Sequence, residues 1–479
     1  MKKGNDIKKS FSNRKFKMGG FQTLTMVIVI VVVVVLNMIV GKMNLTVDLS
    51  SDKIFTLTED TKKLAEGLSD DITLYYMCQD GKEAVQIEKV IDQYDKLGHI
   101  SVERKDPVIY PNFAKTYTED EITDNDVIVV NEKKNKSKHV KSSDMVIQDV
   151  DYSTYSQTNT LDAEGQLTAA IQSVTSTETK KVYITSGHGE QELDGSFTDI
   201  LHKSNMETAS LDTASQKKVP DDCNILLING AQYDITEAEY NVLSAYMKNG
   251  GKAMFFMNVE ASKQPYLTKL LSDYGINTVA GYVFDSEKCV SDELPTYLVP
   301  EVESHDITKE ATNVSVCAPL TIGMTSQSKV RSTLKVEPLL KTSESAFSRT
   351  DKKASSMNKI DGDTAGPFSV AMAATDEYPE KRIGPGHAAK LVVYGSYSFA
   401  GSGFIADNKY GNRSMILNSL TWLTGSETST LAIPKRSLDE QSVKIQEGDQ
   451  VFWIAALVIV LPLVLLIIGF IIWYRRRKG

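Results

Sequence analysis

Residues 224–257 read NILLINGAQYDITEAEYNVLSAYMKNGGKAMFFM. Ile225–Ile228 is an unbroken apolar run, the pattern of a strand buried on both faces rather than one. Thr236, followed three residues later by Glu239, forms a capping box that starts a helix. Ile235 stands just ahead of the cap, and Tyr240, Leu243 and Met247 give the helix an apolar stripe at 3.6-residue spacing. Gly250 and Gly251 end it, because glycine takes the left-handed conformation without a Cβ penalty. Lys252–Met257 is the next strand. Strand, helix and strand in this order make a parallel unit with a right-handed crossover.

The same alternation extends outward. Lys181–Thr185 predicts a strand and Phe197–Lys203 a helix. Pro265 starts a further helix through Leu267, Leu270, Leu271 and Tyr274 that stops at Gly275. The pattern resumes at Lys390–Tyr394 and in a helix near Arg413–Leu423, so residues 180–425 read as a doubly wound α/β domain. Within it, residues 286–385 are less regular, and 341–366, rich in Ser, Thr, Lys and Asp, are expected to form an exposed loop. Upstream, residues 44–178 read as a small α/β domain. Its expected elements are a strand at LTVDL (45–49), a helix capped by Thr56 with Glu59, strands at 72–77, 100–103 and 127–130, and helices at 82–97 and 163–174. Residues 426–450 are expected to be a polar stalk.

The chain has 479 residues, 41% apolar and 24% charged, with a formal charge of -9. That composition excludes a disordered chain and argues against a nucleic-acid binder. Gly20 to Gly41 contains no charge, and neither does Val451 to Tyr474. Each is long enough for the ~30 Å hydrocarbon core of a bilayer. Residues 21–41 and 451–474 are therefore expected to be transmembrane helices that bind membrane lipid. The basic tails 1–20 and 475–479 would be cytoplasmic by the positive-inside rule, and the bulk of the chain extracytoplasmic. Four cysteines allow three complete pairings. Cys289 with Cys317 is the favoured pair, while Cys78 and Cys223 read as core residues.

Catalytic signatures are missing. There is no GxxxxGK[ST] phosphate loop, no GxSxG, no HExxH and no EF-hand, and GSGF at 401–404 is too short for a phosphate loop. Ser186-Gly187-His188-Gly189-Glu190 follows a parallel strand, where open α/β sheets bind ligands. Gly187, His188, Gly189 and Glu190 are thus the candidate ligand-binding residues. The other reading is a tight turn whose polar side chains tie adjacent loops together. No catalytic residue, cofactor or metal ligand is assigned.

The motifs in order carry a resemblance. LTVDLSSDKIFTLTEDTKKL (45–64), YITSGHGE (183–190), NILLING with its capped helix and GGKAMFFM, SYSFAGSGFIADNKYGNRSMILNSLTWLTG (396–425) and the terminal WYRRRKG resemble the GldG-like auxiliary subunits of bacterial ABC transporters. The resemblance implies a non-catalytic subunit working with a separate permease and a cytoplasmic ATPase. It also implies a thioredoxin-like first domain and an amidotransferase-like second domain lacking the catalytic cysteine. The residues leave open a stand-alone membrane-anchored sensor or scaffold, or a tethered hydrolase or amidotransferase centred on His188 and Glu190.

Overall fold

The computed structural model describes residues 53–425 apart from 152–155, 177–178, 310, 312–313, 352, 354–355, 378–386 and 407–409. It also describes 433, 435–438 and the helical positions 27–28, 30–32, 35, 467, 469, 471 and 474–475. Two compact units divide the chain after Thr56. In the first, the turn at 53–56 closes with a bond from the Thr56 amide to the Lys53 carbonyl (2.9 Å). The expected strand at 45–49 lies outside the described residues.

The second unit opens with helix α1 (Glu59–Glu66), whose cap is Thr58, its hydroxyl accepting from the Thr61 amide at 3.3 Å. The expected cap at Thr56 is therefore corrected by two positions: two threonines compete, and Glu59 instead pairs with Lys62 (2.7 Å). Strand β1 (Ile72–Met77) is followed by helix α2 (Val85–Tyr94), which buries Ile87, Val90, Ile91 and Tyr94. Strands β2 (Ile100–Lys105), β3 (Asp126–Asn131) and β4 (Lys136–Val140) complete a sheet of order β2-β1-β3-β4. Only the β1–β2 pair is parallel. Helix α3 (Ala163–Thr175) packs on β3 and β4.

His139 on β4 lies between two carboxylates, Nδ1 at 3.0 Å from Asp120 and Nε2 at 3.1 Å from Asp126. The hydrogen bond to Asp126 outweighs burial and raises the imidazole pKa. A raised histidine stabilises the fold fully below its unfolded value of ~6.5, and that contribution disappears as pH rises through the folded value. Urea denaturation of wild type and His139→Gln is expected to show the largest stability gap near pH 5–6. The gap should close toward pH 9; a gap independent of pH rules the ion pairs out.

The main strands of the larger sheet are β5 (Lys180–Ser186), β6 (Met206–Asp212), β7 (Cys223–Asn229), β8 (Lys252–Phe256), β9 (Ile276–Val279), β10 (Gly323–Ser326), β11 (Leu334–Lys341), β12 (Ser369–Asp376) and β13 (Ala389–Tyr394). The path through their sheet is β9-β10-β12-β13-β8-β7-β5-β6, with β11 branching from β12. From β13 to β6 all neighbours are parallel. Helices α4 (Gly195–Lys203) and α7 (Asn412–Thr424) cover one face, where Val182, Ile225, Leu227, Met254 and Val392 meet Phe197, Leu201 and Ile416. Helices α5 (Glu237–Lys248) and α6 (Pro265–Ser272) cover the other, where Leu226, Ile228, Phe255 and Val393 meet Leu243, Met247 and Leu267. Two covered faces explain the contiguous apolar run of β7.

Three expectations are overturned. The fold is mixed α/β without flanking transmembrane helices: among the described residues no helix is long and apolar enough to cross a membrane. Among the described residues the longest helices of the fold have 13 residues, whereas a span takes ~20 in one continuous helix. Most of 21–41 and 451–474 lies outside the described residues. The multi-pass membrane localisation and the lipid contact through two helices go with those spans. All four cysteines are free, so Cys289 and Cys317 do not pair. Cys317 is fully buried, its amide donating to Asn412, while Cys289 donates to the Ser291 carbonyl. Residues 341–366 are not simply an exposed loop either. They include the buried strand Phe347–Arg349, whose Arg349 guanidinium pairs with Asp363 at 2.6 Å and lies over the Phe284 and Phe347 rings. The Asp363 carboxylate and the backbone carbonyls of Ser356 and Asn358 surround that cation.

Candidate functional site

The chain leaves β5 for β6 on one side and then crosses to β7 on the other. The carboxyl ends of β5 and β7 therefore flank a topological switch point, the usual ligand crevice of open α/β sheets. Residues 186–190 fill it. Gly187 and Gly189 take φ of +109° and +68°, in the left-handed region that favours glycine. A Cβ on Gly189 would also come within 3.1 Å of the Tyr233 ring.

The turn folds inward on His188, which is 7% exposed. The His188 amide donates to Glu190 at 2.7 Å, and its Nδ1 lies 3.3 Å from the same carboxylate. Its Nε2 lies 3.1 Å from Glu239. The His188 carbonyl accepts from the amides of Gln232 and Tyr233, each at 2.9 Å. Glu239 belongs to the cap of α5, accepting from the amide and hydroxyl of Thr236 (both 2.8 Å), and it also accepts from Thr213 (2.7 Å). Burial works to raise its pKa, but the bonds from Thr213 and Thr236 and the nearby His188 outweigh it and bring the carboxyl down to about 2.

Next to this knot, Gln191 donates its amide to the Asn229 carbonyl (2.8 Å), and the Asn229 side chain donates to the carbonyls of Gln191 (2.9 Å) and Glu192 (3.3 Å). These bonds tie the loop after β5 to the end of β7. An open cleft of about 640 Å³ lies alongside, lined by Gly187, Gly189 and Glu190 but not by His188. Its walls also include Thr185, Ser186, Glu192 and β6 residues 208–210. Two buried oxygens at this end of the sheet, Thr185 Oγ1 and Asn229 Oδ1, have no hydrogen-bond partner among the described residues. GSGF at 401–404 closes against α4 instead: Ser402 bonds to Asp194 and Ser196.

Of the four expected residues, three line the cleft and the histidine anchors the turn behind it. The partners that sequence reading missed are Glu239, Thr213 and Asn229. Glu239 carried a signal as half of a capping box, but nothing local marked its second role. Among the described residues there is no group of three or more His, Cys, Asp or Glu side chains able to hold a metal ion.

Gly230, which follows β7, has φ +63°, and a Cβ there would lie 2.9 Å from the Tyr397 side chain. Gly230→Ala is expected to lose about 1–3 kcal/mol in chemical denaturation. Adding Tyr397→Ala removes the ring atoms but keeps the Tyr397 Cβ, itself 2.9 Å away, and the backbone strain, so the double variant should recover only a small part of the loss.

A family model described as an ABC-type uncharacterized transport system matches residues 179–419, half of the chain and the whole of the switch-point region. The chain belongs to this family of transport-system auxiliary components. Membership agrees with the resemblance to GldG-like subunits. A second family model, a domain of unknown function (DUF7088), matches residues 51–148. No curated protein matches the chain. Among solved structures, the "mmIFT52 N-terminal domain" is similar at 17% identity over 51% of this chain and 98% of that one, with a TM-score of 0.38. That likeness is too loose to carry a functional argument.

Proposed function

We propose that the chain is a non-catalytic accessory subunit that works with a separate permease and a separate ATPase. Residues 44–178 and 180–425 would be its two working domains, with Gly187, Gly189 and Glu190 presenting the cleft and His188 fixing the turn behind them. Membership of an auxiliary transport family is the observation that carries this reading. Its non-catalytic half draws support from the chemistry of the candidate groups. Both ring nitrogens of His188 face carboxylates, which leaves no free lone pair to act as a base on a substrate in the cleft. Burial pushes the Cys223 thiol to about 11 and the Cys317 thiol to about 12, so neither supplies a thiolate nucleophile at neutral pH.

Co-expression with the permease and ATPase of the same system tests it. The three chains are expected to co-purify in mild detergent, and deleting this one should reduce transport. His188→Ala with Glu190→Ala should lower folding stability without removing any hydrolytic activity from the purified chain. A chain that purifies alone and loses a measurable hydrolase activity in that double variant would overturn the proposal.

A further inference from the structure

We infer that β6 is a docking edge for an extended segment, carrying lysine or arginine, of a partner transport subunit. The inference rests on the accessory-subunit reading and adds where and how the partner binds. Strand edges present unpaired backbone groups, and proteins usually guard them with short length, charge, proline or a bulge. The other ends of the smaller sheet and of the main path of the larger one are guarded. β9 has only four residues, β2 ends in Glu103, Arg104 and Lys105, and β4 carries Lys136, Lys138 and His139. β6 has seven residues, no lysine, no proline and an unbroken register with β5, and its two charges, Glu207 and Asp212, lie outside its central residues. Its central residues 208–211 are Thr, Ala, Ser and Leu, and among the described residues its outer edge pairs with no strand.

The cleft supplies the second observation. Register places Thr208 beside Val182 and Ser210 beside Ile184, so both side chains share the α4 face of the sheet. Both are exposed and both line the cleft. A strand added about 4.8 Å beyond β6 would project every second side chain onto that same face, toward the cleft. Among the described residues its charged lining is Glu190, whose carboxylate is held against His188, and the exposed Glu192, and the exposed Asp212 at the end of β6 adds another acid on the same face. An acid-only cleft selects a cationic side chain, while main-chain bonds to the edge supply affinity.

Amide hydrogen exchange tests this in the co-purified complex. Residues 208–211 are expected to exchange at least about tenfold more slowly in the complex than in the chain alone. Thr208→Lys with Ser210→Lys, both at exposed positions, should abolish that protection and weaken the complex about tenfold, with an unchanged melting temperature of the chain. A complex that forms without protecting β6 overturns the docking edge and leaves the accessory reading intact. If no complex forms, a hexapeptide alternating valine with lysine is the probe, against its glutamate counterpart. Protection of β6 by the lysine peptide alone keeps the docking edge, and no protection ends it. Protection that instead grows with concentration of the chain by itself would mean pairing between two copies, and overturns the partner assignment.

Discussion

Lys203→Ala is expected to lose about 3–5 kcal/mol of folding stability, the largest effect of any single substitution considered for this chain. Lys203 sits on α4 with no solvent exposure. Its ammonium lies 2.7 Å from Asp162, 2.9 Å from Asp199 and 3.3 Å from the Ile433 carbonyl. Asp162 is itself buried, and burial, with Asp199 adding to it, pushes its pKa up against the pull of Lys203. Removing the cation therefore leaves a desolvated carboxylate without its counter-ion, which costs far more than the pair contributes when intact. The backbone of α3 packs directly on the pair. Gly165 is already so close that a Cβ there would fall 2.5 Å from the Asp162 carboxylate and 3.0 Å from the Lys203 ammonium. The asymmetry gives a second measurement. Lys203→Met with Asp162→Leu removes both charges and keeps the volume, so in urea denaturation it should lose less than Lys203→Ala alone. Equal losses would assign the effect to packing rather than charge. Asp162 precedes α3, on the β3–β4 sheet, and Lys203 ends α4, on the larger one, so this pair also ties the two sheets together.

Much of that architecture was legible in the sequence because local signals and burial agree there. Thr236 with Glu239 reads as a capping box, and both halves of the box form. Ile225–Ile228 reads as a strand covered on two faces, and the two core layers divide its side chains alternately. Most of the misreadings come from partners that no local pattern announces. β12 was hidden because Ala371, Ala373 and Ala374 carry little strand preference and are held by β11 and β13 on either side. The stretch 341–366 looked like a solvated loop because its composition is polar, but Arg349 and Asp363 bury that polarity against each other. The apolar runs at 21–41 and 451–474 satisfied a composition rule, yet among the described residues no helix is long and apolar enough to cross a membrane. The candidate site was half legible. The glycines and the strand end predicted a turn at a ligand-binding position, while nothing in SGHGE announced that its histidine would turn inward to Glu239, 51 positions downstream.

Glu239→Ala is expected to cost about 3 kcal/mol and to loosen the 186–190 turn with it. The carboxylate accepts from two groups of Thr236 and from Thr213, and it faces His188, so truncation strands four polar partners at a site where Glu239 is only 3% exposed. Its pKa of about 2, against an ordinary value near 4.5, gives the sign of the pH dependence. A depressed carboxyl stabilises the fold above its unfolded value and loses that contribution as pH falls through the folded one. The gap between wild type and Glu239→Gln, which keeps the shape but not the charge, should therefore be on the order of 2–3 kcal/mol at pH 6 and shrink between pH 4.5 and 2. A double-mutant cycle with His188→Gln separates the histidine contact from the helix cap. Coupling of at least about 1 kcal/mol is expected if the imidazole and the carboxylate act as a pair, and additive losses would reduce Glu239 to a cap alone. The functional consequence follows from geometry. With the His188–Glu239 contact gone, Gly187, Gly189 and Glu190 lose the anchor that holds them at the cleft wall, so hydrogen exchange of 187–190 should rise by more than that of β7. Uniform exchange across both segments would show that the anchor does not govern the turn.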